Sequence, residues 1–314
     1  MSKIDITNII PEIDKDLLSK ELNADRFIRK TNYGNNEIYI ISQHNSPNVM
    51  LEIGRLREIS FRLAGGGTGK SVDIDGYDTA EHPYQQLIVW DPEKKEILGG
   101  YRFINCNEYI PKDENGNIKL ATTGLLNFSE KYINEYLPYT IELGRSFIRP
   151  EYQSSNTNRK ALFSLDNLWD GLGALIVRNP KIKYFMGKIT MYENYDSYAR
   201  DLILYFFKKY FTDKENLVLP KEPLIAKTDE KGFADLLIGE NFKEDFKIMN
   251  RIVRDHNEII PPLFNTYMNL SPSMRVFGTA INNNFGGVEE TGIMITIDDI
   301  YESKKHRHVS TCPS

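Results

Sequence analysis

The stretch that most constrains the fold is Tyr139-Thr-Ile-Glu-Leu-Gly-Arg-Ser-Phe-Ile-Arg-Pro150. Ile141, Leu143, Phe147 and Ile148 are the apolar, β-favouring residues of a buried strand, and Pro150 ends it because proline has no N–H to give a sheet. Inside that strand stand Glu142 and Arg145, three residues apart around Gly144. A carboxylate and a guanidinium are costly in a sheet interior unless they are paired or used. The stretch is therefore either a buried ion pair on a kinked strand or part of a catalytic site.

At 314 residues the chain can form one large domain or two small ones, and 40% hydrophobic with 26% charged residues is the balance of a globular protein with a sizeable core. The net charge of -5 is spread without a long acidic or basic block, which argues against a nucleic-acid partner. Cys106 and Cys312 are far apart, so neither a disulfide framework nor a metal-ligand spacing is implied, and a reducing cytoplasm fits. The first residues lack the apolar core of a signal peptide, and no window reaches the roughly 18 uncharged apolar residues of a spanning helix. A soluble or peripheral protein is expected.

Along the chain, Asp14–Leu22 reads as a short helix, Glu37–Ile41 as a strand and Pro47–Ala64 as a helix with Ser46 before its proline start. That helix turns Leu51, Leu56, Ile59 and Leu63 toward a core and carries Arg55, Arg57, Glu58 and Arg62 elsewhere. Gln86–Trp90 and Ile97–Ile104 form a hairpin around Asp91–Glu96, and residues 105–130 form a polar excursion before the Glu142 strand. Helices follow over Ala161–Val177, Ser197–Phe211 and Glu244–His256, with strands at Tyr184–Thr190, Arg275–Ile281 and Gly292–Asp298. The whole reads as one domain over 1–314, with a core of about 37–300, a polar connection at 212–241 and a flexible tail at 303–314. The basic tail Lys304-Lys-His-Arg-His308 admits contact with membrane headgroups.

Two local patterns invite a ligand and do not fit one. Ala64-Gly-Gly-Gly-Thr-Gly-Lys-Ser71 matches a relaxed phosphate-binding loop, but a helix precedes it and no helix opens after it, so a plain loop is the better reading. Asp73, Asp75 and Asp78 crowd a turn without the glycine and terminal glutamate of a calcium loop. Solvated turn carboxylates, or partners for the arginines just upstream, are the alternatives.

The order of elements is that of a mixed sheet covered by helices, α/β to α+β. It resembles the GNAT acyltransferase fold, in which the fourth strand splays from the fifth to admit a pantetheine thioester; the Glu142 strand and Tyr184–Thr190 fall at those positions. Arg55, Asp75, Asp78, Gly100-Tyr-Arg102 and Glu142-Leu-Gly-Arg145 resemble the ordered motifs of acyl-homoserine-lactone synthases. They are more similar to the hemolysin-like N-acyltransferases that make ornithine and glycine lipids, and Leu87–Asp91, Glu142–Ser146 and Ile260–Phe264 extend the resemblance over residues 50–300. Gly144 departs from the serine usual in lactone synthases, which favours simple amide formation.

The resemblance implies transfer of a long-chain fatty acyl group from a thioester to an amino acid amine, in aminolipid synthesis, with no metal or redox cofactor. Met191–Tyr195 and Ala199–Tyr205 favour glycine, with ornithine as the alternative. Arg149–Lys160 lacks the glycines of an acetyl-CoA pyrophosphate loop, so an acyl carrier protein is expected as donor and CoA is the alternative. Phe147, Ile148, Arg149, Arg159 and Lys160 are the donor-side candidates. Glu142 is the expected base, Arg145 its electrostatic partner, and Tyr198 or Tyr195 a proton source for the leaving thiolate. Arg102 and Arg145 are placed for the substrate carboxylate, and Asp75 and Asp78 for the amine or for orienting Arg55. An acetyl-CoA-dependent N-acetyltransferase and a non-catalytic acyl-carrier or lipid-binding module are the other readings, and a cytoplasmic location at the inner face of the membrane suits the first.

Overall fold

The computed structural model describes residues 6–153 and 159–312. Asp14 accepts the N–H groups of Asp16 and Leu17 and so starts α1 (Lys15–Glu21). Strands β1 (Phe27–Lys30) and β2 (Glu37–Ile41) pair antiparallel across a turn in which Gly34 and Asn35 take left-handed angles. Helix α2 (Pro47–Ala64) begins at the predicted proline and stops at Gly65 in the left-handed conformation. A reciprocal capping box between Asp75 and Asp78 holds the single turn α3 (Gly76–Thr79). The predicted hairpin is β3 (Gln85–Asp91) with β4 (Glu96–Asn105). Next come β5 (Leu126–Phe128), β6 (Thr140–Ile148), α4 (Arg159–Arg178), β7 (Tyr184–Met191) and α5 (Ser197–Phe211). The chain closes with β8 (Val218–Pro220), α6 (Glu230–Leu236), α7 (Phe242–Asp255), α8 (Pro262–Met268), β9 (Arg275–Asn282), β10 (Val288–Thr296) and α9 (Glu302–His308).

Two segments differ from expectation. The 212–241 connection contains β8 and α6, and β8 pairs with β5 in a small second sheet. The stretch expected as a flexible tail folds as α9 against α4: Arg307 meets Asp166 at 2.6 Å, and His308 Nδ1 meets Asp170 at 2.8 Å. Its hold is largely polar, which is why no apolar period announced it. No described helix is long and apolar enough to cross a membrane.

The main sheet runs β1-β2-β3-β4-β6-β7-β10-β9 and is antiparallel everywhere except between β6 and β7. This is the expected mixed sheet. One face packs under α4, α5, α7 and α8 in the largest apolar cluster. The other face carries two clusters, one beneath α1 and α2 around Trp90 and Phe147, the other beneath the 105–139 excursion around Tyr84, Leu126 and Met186. A polar seam lies between them.

The parallel ladder of β6 and β7 runs from Thr140 opposite Tyr184 to Leu143 opposite Gly187 and ends there. These are the splayed strands. Gly187 is needed at the last rung, because a Cβ there would stand 2.6 Å from the Leu143 carbonyl oxygen. Just beyond, β6 bulges: Arg102 faces Gly144 and Gly100 faces Phe147, so Arg145 and Ser146 together oppose Tyr101. Arg145 takes φ +48° to make the bulge. The extra residue reverses the alternation, so Leu143 joins the α4-side cluster and Phe147 the α2-side cluster.

Gly187→Ala is expected to lower stability by about 1–3 kcal/mol, read as a shift of the denaturant midpoint. Gly144→Ala, whose Cβ meets no atom within 4 Å, is expected to leave the midpoint nearly unchanged.

Candidate active site

The seam holds three arginines against three aspartates. Arg57 of α2 reaches Asp73 at 3.0 Å and Asp78 at 3.5 Å; Arg102 of β4 reaches Asp75 at 2.8 Å and Asp78 at 3.2 Å; Arg145 reaches Asp73 at 2.9 Å and Asp75 at 3.8 Å. Each carboxylate therefore serves two guanidinium groups. Burial alone raises the Asp75 carboxyl, but the charge and hydrogen bonds of Arg102, then the charges of Arg145 and Arg57, hold it at about 2. Asp73, raised by burial, is likewise drawn below the usual carboxylate range by Arg57, Arg145 and Arg102. One arginine upstream, Arg57, and two downstream, Arg102 and Arg145, are the partners of these acids. Within the lattice Asp75 is the side chain with most access to solvent, at 28% exposure.

Glu142 projects from the same face of β6, 1% exposed. It accepts the Tyr84 hydroxyl and, at 2.7 Å, the Thr122 N–H; Tyr84 in turn accepts the Ala121 N–H at 3.0 Å. Burial and then the Glu142 charge push the Tyr84 phenol well above its ordinary value, so it stays a donor. The Arg102 guanidinium lies 5.3 Å from the Tyr84 ring centre and joins this group to the lattice.

Past Leu143 the divergent strands bound a cleft lined by Tyr101, Leu143, Gly144, Ser146, Phe185, Ile189, Leu263, Tyr267, Ile293 and Ile295. Lys188 lines it too, paired at 2.6 Å with Glu290, which also accepts Asn282 at 2.9 Å. The cleft wall is mainly apolar, and its head lies at the Leu143 and Gly187 rung, one residue from Glu142. Such a wall suits an apolar group, and the opposite face suits a polar one.

The structure brings Glu142, Arg102, Arg145, Asp75 and Asp78 onto one face and separates the other candidates. Arg55 pairs with Glu52 at 2.6 Å instead of with the aspartates; the helix arginine in the lattice is Arg57. Arg145 is the partner of Asp73, whereas Glu142 is held by neutral donors. Phe147 is turned by the bulge into the α2 cluster, Ile148 is partly buried against the α4-side core, and Arg149 pairs with Glu151 at 3.1 Å. The side chains of Arg159 and Lys160 lie outside the described residues. Tyr198 stacks on His256 at 4.7 Å and Tyr195 donates to the Ile259 carbonyl at 3.0 Å; neither lines the cleft. Sequence reasoning passed over Tyr84, Lys188 and Glu290, whose only signal is a polar residue within an apolar strand or beside one. The glycine-rich loop does bind an anion, and it is the protein's own: Glu58 accepts Thr68 N–H at 3.1 Å, Thr68 Oγ1 at 2.7 Å, Gly69 N–H at 2.8 Å and Arg62 Nε at 2.7 Å.

A wedge between two parallel strands, apolar within and headed by a buried carboxylate beside an ion lattice, defines an amide-forming acyltransferase of GNAT architecture, and residues 56–162 match the acetyltransferase (GNAT) domain family. A glycine N(alpha)-acyltransferase of Bacteroides thetaiotaomicron is 58% identical over 303 residues, 96% of this chain and 90% of its own length. Another from Phocaeicola vulgatus is 56% identical, covering 96% of this chain and 93% of its own. The chain belongs to this glycine N(alpha)-acyltransferase family. Among solved structures, FeeM, an N-acyl amino acid synthase from uncultured soil microbes, aligns over 84% of this chain and 91% of its own with 10% identity and a TM-score of 0.41. A CoA-dependent acyl-homoserine lactone synthase aligns over 89% and 91% with 12% identity and a TM-score of 0.40.

Arg57→Met, which leaves the three carboxylates facing two guanidinium groups, is expected to cost about 3–5 kcal/mol in chemical denaturation. Because the folded Asp75 carboxyl ionises below its unfolded value of 3.8, its contribution is complete above that pH and is lost as pH falls toward about 2. Between about pH 5 and about pH 2.5 the wild type should lose about 2 kcal/mol more than Asp75→Asn.

Proposed function

We propose that this protein transfers a long-chain fatty acyl group from the phosphopantetheine thioester of an acyl carrier protein to the amino group of glycine, giving a single-chain aminolipid. One observation carries the reading. The β6/β7 ladder ends at Leu143 and Gly187, and there an apolar cleft on one face meets the Glu142 and Arg145 face on the other. The thioester enters the wedge, and the amine approaches from the lattice side.

An amino acid amine is mostly protonated near neutral pH and cannot attack until it gives up a proton. Glu142 is the base, oriented by Tyr84 and the Thr122 N–H, directly or through one water. The amine nitrogen bonds to the thioester carbon, the C–S bond breaks, and the sulfur leaves as a thiolate that takes up the second proton the nitrogen sheds as the amide forms. A thiol of ordinary acidity leaves without a dedicated acid, so no tyrosine is needed for this step. Arg145 and Lys188 flank the approach and suit the acceptor carboxylate, while Asp75 suits its amine. Arg57, Arg102, Asp73 and Asp78 position them. The apolar lining of the cleft, with Phe185, Ile189, Leu263, Ile293 and Ile295, supports a hydrocarbon chain as the transferred group.

Incubating the purified protein with palmitoyl carrier protein, palmitoyl-CoA or acetyl-CoA, and with glycine or ornithine, is expected to give N-palmitoylglycine by mass spectrometry, fastest with the carrier donor. Acetylated product alone, or no product from any donor, contradicts the reading. Glu142→Gln is expected to lower turnover by at least about a hundredfold while leaving carrier binding intact.

A further inference from the structure

The acceptor face carries a charge pair that stands apart from the arginine–aspartate lattice. Met186 faces Glu142 one rung before the parallel ladder ends, and Lys188, two residues on, lies on the same side of β7. Glu290 of β10 is opposite Thr190 and therefore diagonal to Lys188; Asn282 of β9 is opposite Val288 and therefore diagonal to Glu290. The three side chains form a row across three strands. Lys188 Nζ meets Glu290 Oε2 at 2.6 Å, and Asn282 Nδ2 donates to the same oxygen at 2.9 Å. Glu289, the other acid of β10, turns away to Arg200 at 2.6 Å. The row leads toward the bulge: Phe285, in the turn that joins β9 to β10, has its ring centre 4.1 Å from the Arg145 guanidinium.

The Lys188 side chain is 15% exposed and that of Glu290 6%, so either charge left alone would be costly, yet Lys188 still reaches the cleft. As a source of stability such a pair is no better than two apolar side chains. Its chemistry suits a choice between acceptors. Ornithine and lysine carry a second ammonium on a short aliphatic stem, and the acid of β10 that could receive it is Glu290. Lys188 is itself an ammonium on such a stem, and it already fills that place. We infer that Lys188 occupies the seat of a side-chain ammonium at Glu290 and thereby makes the acceptor site selective for glycine over amino acids with a cationic side chain. Asp75 serves the reacting amine and Glu290 is held by Lys188, so a second ammonium meets like charge instead of a partner. That an amino acid comes to this corner rests on the acyl-transfer reading; the exchange of one ammonium for another at Glu290 does not.

The test measures two acceptors on the same protein, so that a general loss of activity cancels. N-acyl transfer from palmitoyl carrier protein is followed with glycine and with ornithine. Lys188→Ala, which vacates the seat and bares Glu290, is expected to raise the ornithine-to-glycine ratio of kcat/KM by at least about tenfold, and adding Glu290→Gln to it is expected to abolish the gain. A pair that only holds β7 to β10 would weaken transfer to both acceptors alike and leave the ratio where it was. Lys188→Met, which keeps the volume while baring Glu290, is expected to raise the ratio too and serves if Lys188→Ala does not fold. With no acyl donor present, ornithine but not glycine should raise the melting temperature of the Lys188 variant. An unchanged ratio, or a gain that persists without Glu290, overturns the inference and leaves acyl transfer standing. If the wild type forms no N-acyl product from any donor, the acyl-transfer reading fails and the melting shift decides: equal shifts with glycine and ornithine, or none, overturn the inference as well.

Discussion

The architecture depends on a charge lattice that is poor value as a source of stability. Three guanidinium groups and three carboxylates lose most of their water between two apolar clusters, and the lattice holds because each acid is shared by two arginines. It is not fully satisfied: Arg57 Nη1 and Arg102 Nε are buried without a hydrogen-bond partner. Apolar side chains of similar volume would hold α2, β4 and β6 together at least as well. What they would not do is fix Arg145 in a left-handed bulge. The lattice thus secures a geometry, and the geometry places a cation, a carboxylate and an open strand edge at one point.

That point was only partly readable in the residues. The ends of β2, α2 and α5 coincide with their predicted bounds, because proline starts, glycine stops and helical apolar spacing are local signals. Glu142, Arg102 and the aspartate pair were recognisable because charge within an apolar strand, and acids crowded on a turn, are also local. The choice between Arg55 and Arg57 was not. The two lie 200° apart on one helix, and which of them meets an acid is decided by where residues 73–78 fold back. Phe147 was misplaced for a different reason. Strict alternation puts it beside Leu143, and a single extra residue at the bulge sends it to the other face. Tyr84 reaches the site from the residue before β3, Lys188 from β7 and Glu290 from β10, a coincidence that only the sheet order creates. α9, bound by polar contacts, left no period to read.

The Glu58 clamp has a consequence for how the acceptor side is built. A glycine-rich loop of this kind elsewhere becomes ordered when an anion arrives. Here the anion is covalently part of the chain, so the loop is set before any substrate comes. Gly66 of that loop lies against Gly286, and a Cβ on Gly286 would meet Gly66 Cα at 3.1 Å. The neighbouring Phe285 ring sits 4.1 Å from the Arg145 guanidinium. Through this chain of contacts the cation at the bulge is braced from a helix end, a loop and a distant hairpin at once. The entropy of ordering that corner is spent in folding, and none of it is left to weaken the capture of a small acceptor with few atoms to offer.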